Sequence, residues 1–254
     1  MNEINVTGII ISTSPVKEYD RRVVILTKEK GKITAFANGA RKPSSPLVGL
    51  IHPFSFGDFV LFAGRSSYTV KSVKINHYFE DLRNDLMGAY YGFYFLELTD
   101  YYAKEENDER ELLKLLYQTL RALINERISN ELIRYIFELK SLTIHGMAPN
   151  VFSCIKCGSK EGEHYFSVAG GGLICVACME VEKFDKSSAD RIRLHPSTLY
   201  TMQFIISEKV MSLYTFQVSE EVLIELGLVM KKIAWFYVDK NFKSLEILEG
   251  ILLS

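Results

Sequence analysis

Four cysteines form the most distinctive chemical pattern in this 254-residue chain. They are the chain's only cysteines and form two C-x2-C pairs separated by seventeen residues, Cys154, Cys157, Cys175 and Cys178. A C-x2-C turn offers two thiolates to one ion, and tetrahedral Zn²⁺ takes four such ligands at about 2.3 Å. The spacing therefore predicts one structural zinc ion, because four protein ligands leave no coordination position for water or a substrate.

Two other uses of the cysteines stay open at this point. Two disulfides would need an oxidising compartment, whereas residues 1–5 lack the basic and apolar regions of a secretory signal. A redox-active pair is normally a single C-x2-C beside a βαβ unit, which the residues around these cysteines do not resemble. A metalloenzyme would require an open zinc site, and four cysteine ligands argue against one.

A basic loop is the second candidate for chemistry. Arg41 and Lys42 are adjacent cations within the proline-containing segment 39–46, and hydroxyl side chains follow them. Such a loop suits contacts to phosphate. A second basic pair, Arg21 and Arg22, begins a strand-like run, although Arg21 could instead form a surface ion pair with a neighbouring carboxylate.

The charge distribution agrees with a polyanion-binding N-terminal part. Residues 1–82 carry eleven Lys and Arg against seven Asp and Glu, a net charge of +4, and the remainder carries −5. This asymmetry favours nucleic-acid binding over two merely different solvated surfaces, but only slightly. The composition, 48% hydrophobic and 24% charged, is that of a globular protein. No apolar run reaches the 18 or so residues of a membrane span, so we expect a soluble, cytoplasmic protein with no membrane partner.

The elements that would position these residues change type along the chain. The N-terminal part contains β-branched and aromatic runs separated by turn residues, which predict a small antiparallel barrel or sandwich. The predicted strands are 6–13, 22–27, 32–38, 56–62 and 68–75. The long connection 39–55 contains three of the six prolines and is predicted to be an exposed loop.

Helical periodicity begins at about Asp81. An aromatic helix is predicted to continue to Tyr101, and Asp108 with Glu111 resembles a capping box that starts the next helix. Ser129 is predicted to cap a third helix, which ends before the cysteines. Helices are expected again at 196–207 and 219–239. The cysteine module is therefore inserted in, or flanked by, a helical domain.

Motifs of catalysis are missing. The chain contains no Gly-x4-Gly-Lys-Ser/Thr loop, no His-Glu-x-x-His and no Gly-x-Ser-x-Gly elbow. We therefore do not expect an enzyme, and the basic N-terminal part becomes the leading functional candidate.

The order of these features resembles the bacterial RecO family of DNA repair and recombination mediators. The resemblance is carried by Gly8-Ile9-Ile10-Ile11, Glu18-Tyr19-Asp20-Arg21, Gly31-Lys32, Gly39-Ala40-Arg41-Lys42-Pro43, Pro53-Phe54 and the two cysteine pairs. It covers nearly the whole chain and implies an α+β, multi-domain protein. A five-stranded OB-type barrel at 1–80 would precede an all-α domain at 81–150 and 183–254, with an inserted four-cysteine zinc module at 151–182.

The resemblance also implies function without covalent chemistry. RecO-like proteins bind single- and double-stranded DNA, anneal complementary strands, and act with RecR and single-stranded DNA-binding protein to help load the recombinase RecA. A nucleoid-associated location would follow. The predicted nucleic-acid contacts are Arg21, Arg22, Lys32, Arg41 and Lys42.

Partner binding is expected on the acidic helical domain. A groove beside the third helix, edged by Arg134 and Lys140, could take the acidic tail of single-stranded DNA-binding protein, although the apolar residues of this helix are better explained as simple core. The alternative function is a zinc-stabilised RNA-binding or translation-associated module, which the same barrel and charges would serve.

Overall fold

The computed structural model describes residues 2–65, 67–125, 127–181 and 191–252. Its strands are β1 Asn2–Val16, β2 Asp20–Thr27, β3 Gly31–Ala37, β4 Phe56–Ala63, β5 Tyr68–His77, β6 Asn150–Cys154, β7 His164–Ser167, β8 Gly172–Cys175 and β9 Arg191–Ile192. Its helices are α1 Glu80–Asn84, α2 Leu86–Tyr102, α3 Arg110–Ile124, α4 Asn130–Ile144, α5 Val176–Val181, α6 Pro196–Ser207, α7 Glu220–Tyr237 and α8 Lys243–Leu252. The predicted α+β class, a five-stranded barrel followed by helices, is confirmed.

The chain forms two units, Met1–Asn125 with Phe242–Ser254 and Glu126–Asn241. The domain boundaries expected from the sequence stay predictions. The boundary expected between residues 182 and 183 lies outside the described residues. Within the described ranges, no helix combines the length and apolar content that crossing a bilayer requires.

The first unit is built around a closed barrel with the strand order β1-β2-β3-β5-β4. The long strand β1 closes it, because one part pairs antiparallel with β4 and another with β2. The register of β1 against β2 shifts between Ile10 and Ser12, and such an irregularity bends a strand. The pairing of β3 with β5 is parallel.

The alternation of β3 shows how the barrel separates its two faces. Ile33, Ala35 and Ala37 are buried in the barrel core, while Thr34 and Phe36, between them, are only partly buried. Successive side chains of a strand point to opposite faces, so Thr34 and Phe36 lie on the outer face. Thr34 and Phe36 therefore keep part of their surface outside the barrel core.

Helices complete the first unit. The single aromatic helix expected from Asp81 is divided at Asp85, whose backbone is extended and whose carboxylate accepts hydrogen bonds from the N–H groups of Met87 and Gly88. This N-cap ends α1 and starts α2. The capping box expected from Asp108 is wrong, because Glu109 is the N-cap residue of α3 and makes no side-chain cap bond. The C-terminal helix α8 packs on α2, where Ser244 Oγ donates to Glu97 Oε2 at 2.6 Å.

The turn between β2 and β3 is fastened to the segment between α2 and α3. Gly31 has φ +61°, and a Cβ atom there would lie 2.6 Å from the carbonyl oxygen of Asn107 and 2.7 Å from that of Lys104. The N–H of Lys32 donates to the Lys104 carbonyl at 3.1 Å. Gly31 is thus required both by its backbone conformation and by the close approach of the neighbouring chain.

The second unit combines helices with a four-stranded sheet of order β6-β8-β7-β9. Helix α4 packs against α6 and α7, and its start agrees with the prediction because Ser129 Oγ accepts the N–H of Leu132 at 3.3 Å. The helices expected at 196–207 and 219–239 correspond to α6 and α7. The sheet and the short helix α5 carry the cysteines.

Candidate functional site

The four cysteines converge on one point. Their Sγ atoms all lie within 4.8 Å of one another. Cys154 ends β6 and Cys175 ends β8, and the parallel pairing of these two strands places the first C-x2-C turn beside the second. Cys157 lies in the turn after β6, and Cys178 lies in α5.

Backbone hydrogen bonds prepare the buried Cys154 for the thiolate form. The N–H groups of Cys175 and Lys156 donate to its Sγ at 3.3 and 3.4 Å. Burial acts to raise the pKa of Cys154, but hydrogen bonds from the backbone of Cys157, Cys175 and Lys156 outweigh burial and lower the pKa to about 6. One ligand of the cluster is therefore largely ionised at neutral pH.

The neighbouring thiols have the opposite effect on Cys178, whose pKa they raise. Hydrogen bonds with the side chains of Cys157 and Cys175 raise the pKa of Cys178 to about 12. Four sulfur atoms so close together cannot all be anions unless a cation compensates their charge. The donor set, its convergence and its charge thus fit a divalent metal ion with soft-ligand preference.

The basic loop after β3 packs against the turn between β1 and β2. The N–H of Gly39 donates to Asp20 Oδ1 at 2.8 Å, and the N–H of Arg41 donates to the Tyr19 carbonyl at 2.9 Å. Arg41 Nη1 also donates to the Glu18 carbonyl at 3.1 Å, and Lys42 Nζ lies 5.3 Å from the centre of the Tyr19 ring. Arg41 and Lys42 are exposed and held in place at one end of the barrel.

Arg22 lies beside this loop on the outer face of the barrel. It is exposed, pairs in register with Phe36 on β3, and its Nη2 donates to Thr34 Oγ1 at 3.4 Å. The same row of paired residues continues from Phe36 through Thr69 to Phe62. We call the set Tyr19, Arg22, Phe36, Arg41 and Lys42 the barrel patch.

Phe62 extends the row beyond the barrel patch. Lys71 Nζ lies 5.3 Å from the centre of its ring and also forms an ion pair with Glu3 at 2.5 Å. Cations and aromatic rings therefore alternate across the four neighbouring strands β2, β3, β5 and β4. This is the arrangement in which bases stack and phosphates are neutralised in single-strand binding.

Two of the predicted nucleic-acid residues lie away from the barrel patch. Arg21 is partly buried, and its Nη1 donates to the Ile51 carbonyl at 3.3 Å. The side chains of the adjacent Arg21 and Arg22 therefore lie on opposite faces of β2. Lys32 Nζ bonds the Asp100 carbonyl at 2.6 Å and Asp100 Oδ1 at 3.1 Å, at the other end of β3. The structure thus places Arg41 and Lys42 against the turn between β1 and β2, and Arg22 on β2 just after that turn. The assignments of all five residues as nucleic-acid contacts stay predictions.

The predicted partner-binding residues lie on α4. Arg134 Nε donates to Glu138 Oε1 at 2.7 Å, in an ion pair whose side chains are 14% and 7% exposed. Lys140 is buried, and its ammonium donates to the carbonyls of Ile206 and Glu208 at the end of α6. Both therefore have internal partners, and their role in partner binding stays a prediction.

Sequence reasoning missed Tyr19 as a member of the site. The residue is 41% exposed, and it supports Lys42 by its ring and Arg41 by its carbonyl. The signal was its position in the short turn between β1 and β2, because barrel loops on one end converge. A shallow concavity of about 420 Å³ is lined there by Lys17, Glu18, Tyr19, Asp20, Asn38, Gly39 and Lys42.

Comparison with known protein families gives two matches that together cover most of the chain. The family model described as "Recombination protein O N terminal" matches residues 1–79. The one described as "Recombination protein O C terminal" matches residues 83–246. The first match coincides with the barrel, and the second contains the cysteine cluster and helices α2 to α7.

Individual relatives agree with these matches. The chain is 34% identical over 252 residues to a protein of Acetivibrio thermocellus named "DNA repair protein RecO". The aligned region covers 99% of this chain and 98% of the relative. A protein of the same name from Alkaliphilus metalliredigens is 34% identical over 250 residues, covering 98% and 99%. Its namesake from Bacillus subtilis is 29% identical over 223 residues, covering 88% and 85%.

Proposed function

Because the chain belongs to the RecO family, we propose that it is a recombination mediator in DNA repair that binds DNA through the barrel patch. The observation that carries this proposal is the position of Arg22 and Phe36, side by side on the exposed outer face, next to the loop that holds Arg41 and Lys42. Cations and a ring within one surface suit an unpaired nucleic-acid strand.

The proposed binding has a simple physical basis. Arg22, Arg41 and Lys42 neutralise phosphates and release counterions, so the affinity falls as salt rises. Phe36 provides a surface on which any base can stack, so binding depends little on sequence. Duplex DNA uses the phosphate contacts alone, because its bases are already stacked and paired.

Strand annealing follows from the same contacts. Neutralising two backbones lets complementary strands approach, and base pairing then supplies the specificity without a covalent step. The protein therefore acts by binding, not as an enzyme. We further propose that it works with RecR on DNA coated by single-stranded DNA-binding protein, whose acidic tail it receives on the helical unit, and that RecA loading is the result.

The cysteine cluster has a structural role in this proposal. One Zn²⁺ ion bound by Cys154, Cys157, Cys175 and Cys178 cross-links β6, β8 and α5 and supplies no chemistry beyond that cross-link. The fit rests on the four converging sulfur atoms and on the charge compensation that they need. The zinc module and the barrel patch thus have separable functions.

The test is an annealing assay on the double variant Arg41→Ala/Lys42→Ala. We expect annealing and single-strand binding to fall by about tenfold or more, and the salt dependence of log K to become shallower by about 1 to 2. The matched control is Lys114→Ala/Arg121→Ala, which removes two exposed cations from α3 and leaves the barrel unchanged. Annealing at the wild-type rate by the first variant would rule out the loop as a DNA contact.

A comparison of matched DNA and RNA strands separates DNA repair from an RNA-binding role. Gel shifts at one salt concentration with single strands of the same sequence measure the preference directly. We expect the DNA strand to bind at least as tightly as the RNA strand. Strong preference for RNA, together with failure to anneal DNA, would support the RNA-binding alternative.

A further inference from the structure

Helix α7 exposes a stripe of large apolar side chains. Ile224 is 58% exposed, Leu228 59% and Trp235 85%. At 3.6 residues per turn these positions fall within about 40° of one another around the helix. An exposed stripe of this kind on a helix that otherwise packs in the unit marks an interaction surface.

Two exposed charges of opposite sign lie on the same side of α7. Glu221 precedes Ile224, and Lys231 lies between Leu228 and Trp235. Residue 226 is midway between Glu221 and Lys231, and it is also midway between Ile224 and Leu228. A twofold axis at this level would therefore place unlike charges opposite each other and apolar side chains opposite each other at the same time.

We propose that α7 is a homodimer interface, in which two copies of the helix pack antiparallel about a twofold axis near residue 226. In such an isologous contact, every pairing occurs twice. Ile224 of one protomer meets Leu228 of the other, and Glu221 meets Lys231. The dimer is thus specified by both the apolar and the charged residues of one helix face.

The C-terminal end of α7 extends past its partner in this arrangement. Trp235 falls opposite residue 217, just before the partner helix begins at Glu220. Gln217 lines an apolar groove of about 720 Å³ whose walls include the rings of Tyr200, Phe204 and Phe216. A groove lined by aromatic rings suits an indole side chain, which is the type of residue that anchors interfaces.

A second copy fits this surface better than nucleic acid does. Of the three stripe residues only Trp235 has a ring on which a base could stack, and Glu220 and Glu221 at the N-terminal end repel phosphate. The contact is small, because it uses one helix face and one groove. Weak, concentration-dependent association, with a Kd on the order of 10 µM, is therefore the expectation.

The experiment measures the oligomeric state of the whole protein by sedimentation velocity from about 1 to 100 µM. The chain contains a single tryptophan, so Trp235 fluorescence reports on the same face without a label. We expect a monomer–dimer equilibrium, with emission moving to shorter wavelength as the dimer forms. Leu228→Glu should raise the dimer Kd by at least about tenfold and leave the melting temperature unchanged, because the side chain is exposed.

A charge-exchange series tests the antiparallel register. Glu221→Lys and Lys231→Glu should each weaken the dimer, because each places like charges opposite one another. The double variant Glu221→Lys/Lys231→Glu should restore it, since unlike charges again face each other across the axis. Failure of the double variant to recover association would overturn the register that defines the proposal.

Two other outcomes would overturn the dimer itself. A monomer throughout the concentration range would do so, and so would a dimer that Leu228→Glu leaves unchanged. If oligo(dT) shifts Trp235 emission while dilution does not, the face binds nucleic acid instead. None of these outcomes bears on the barrel patch, which the annealing assay tests separately.

Discussion

Arg22 and Phe36 lie directly opposite each other in the β2–β3 ladder, with Phe36 on the outer face of the barrel and Arg22 exposed beside it. The alternation of β3 fixes the position of Phe36, because Ala35 and Ala37 on either side point into the core. The Phe36 ring, which does not belong to the barrel core, is thus held beside the Arg22 side chain. Stacking on this ring is the part of DNA binding that phosphate contacts cannot supply.

The variant Phe36→Ala should weaken single-stranded DNA binding by 1–3 kcal/mol, or about 5- to 150-fold, and affect duplex binding much less. Loss of a stacking surface matters only for bases that are unpaired. Fluorescence anisotropy with labelled single strands and duplexes measures both affinities. The control is Phe152→Ala, a 44% exposed phenylalanine on β6, which should change neither. Equal weakening of single-strand and duplex binding by Phe36→Ala would argue against stacking.

The variant Cys154→Ser should lose the bound metal and melt at a temperature lower by more than about 5 °C. The folded fraction should keep its DNA affinity, because the cysteines do not belong to the barrel. Metal analysis by mass spectrometry and a melting curve with and without chelator make the measurement, with Lys156→Ala as the control inside the same turn. A well-folded variant that selectively lost DNA binding would contradict the structural role.

Metal occupancy should also depend on pH. The folded pKa of Cys154 is lowered to about 6, below its unfolded value, so the stabilisation that its thiolate provides is present at high pH and is lost as pH falls through about 6. Protons compete with the metal for the same sulfur. Titration from neutral to acidic pH should therefore release the metal at a pH below this value, because the bound metal itself opposes protonation of the sulfur, and a metal content independent of pH down to acid unfolding would contradict thiolate ligation.

The variant Gly31→Ala should destabilise the protein by about 2–4 kcal/mol. Its Cβ atom would collide with the carbonyls of Lys104 and Asn107, in addition to the strain of φ +61°. Gly49→Ala is a matched control, because Gly49 has φ +80° and nothing lies within 4 Å of its added Cβ. Denaturant unfolding measures both. The difference between the two variants isolates the cost of the collision, and equal destabilisation would mean that the close contact contributes nothing.

Local patterns in the sequence predicted most of the strands and helices but few of the contacts between them. Runs of β-branched and aromatic residues between turn residues predicted the five barrel strands, and C-x2-C spacing predicted that four sulfur atoms converge. The parallel pairing of β3 with β5, which helps to close the barrel, could not be predicted because periodicity does not specify a partner strand. The interruption at Asp85 was missed because the apolar pattern continues across it.

The residues of the candidate site were likewise predicted only in part from local sequence patterns. The loop 39–55 that carries Arg41 and Lys42 followed from its composition, but its predicted exposure is wrong in part, because Ala40, Leu47 and Ile51 pack in the barrel core. Arg21 and Arg22 could have been separated from the sequence alone, because adjacent residues of a strand face opposite sides. The pairing of Lys32 with Asp100 spans 68 residues of sequence and depends on how α2 packs on the barrel, which no local pattern contains.

The variant Lys140→Met should destabilise the protein by about 2 kcal/mol. The buried ammonium donates to the carbonyls of Ile206 and Glu208, which lie at the end of α6 and lose their hydrogen-bond donor in the variant. Met keeps the length and the apolar stem of the side chain, so the change is mainly the loss of these bonds. Lys209→Met, at an exposed position nearby, is the control and should be neutral in denaturant unfolding. A Lys140→Met protein of wild-type stability that fails to bind the acidic tail peptide of single-stranded DNA-binding protein would show that Lys140 serves the partner and not the fold.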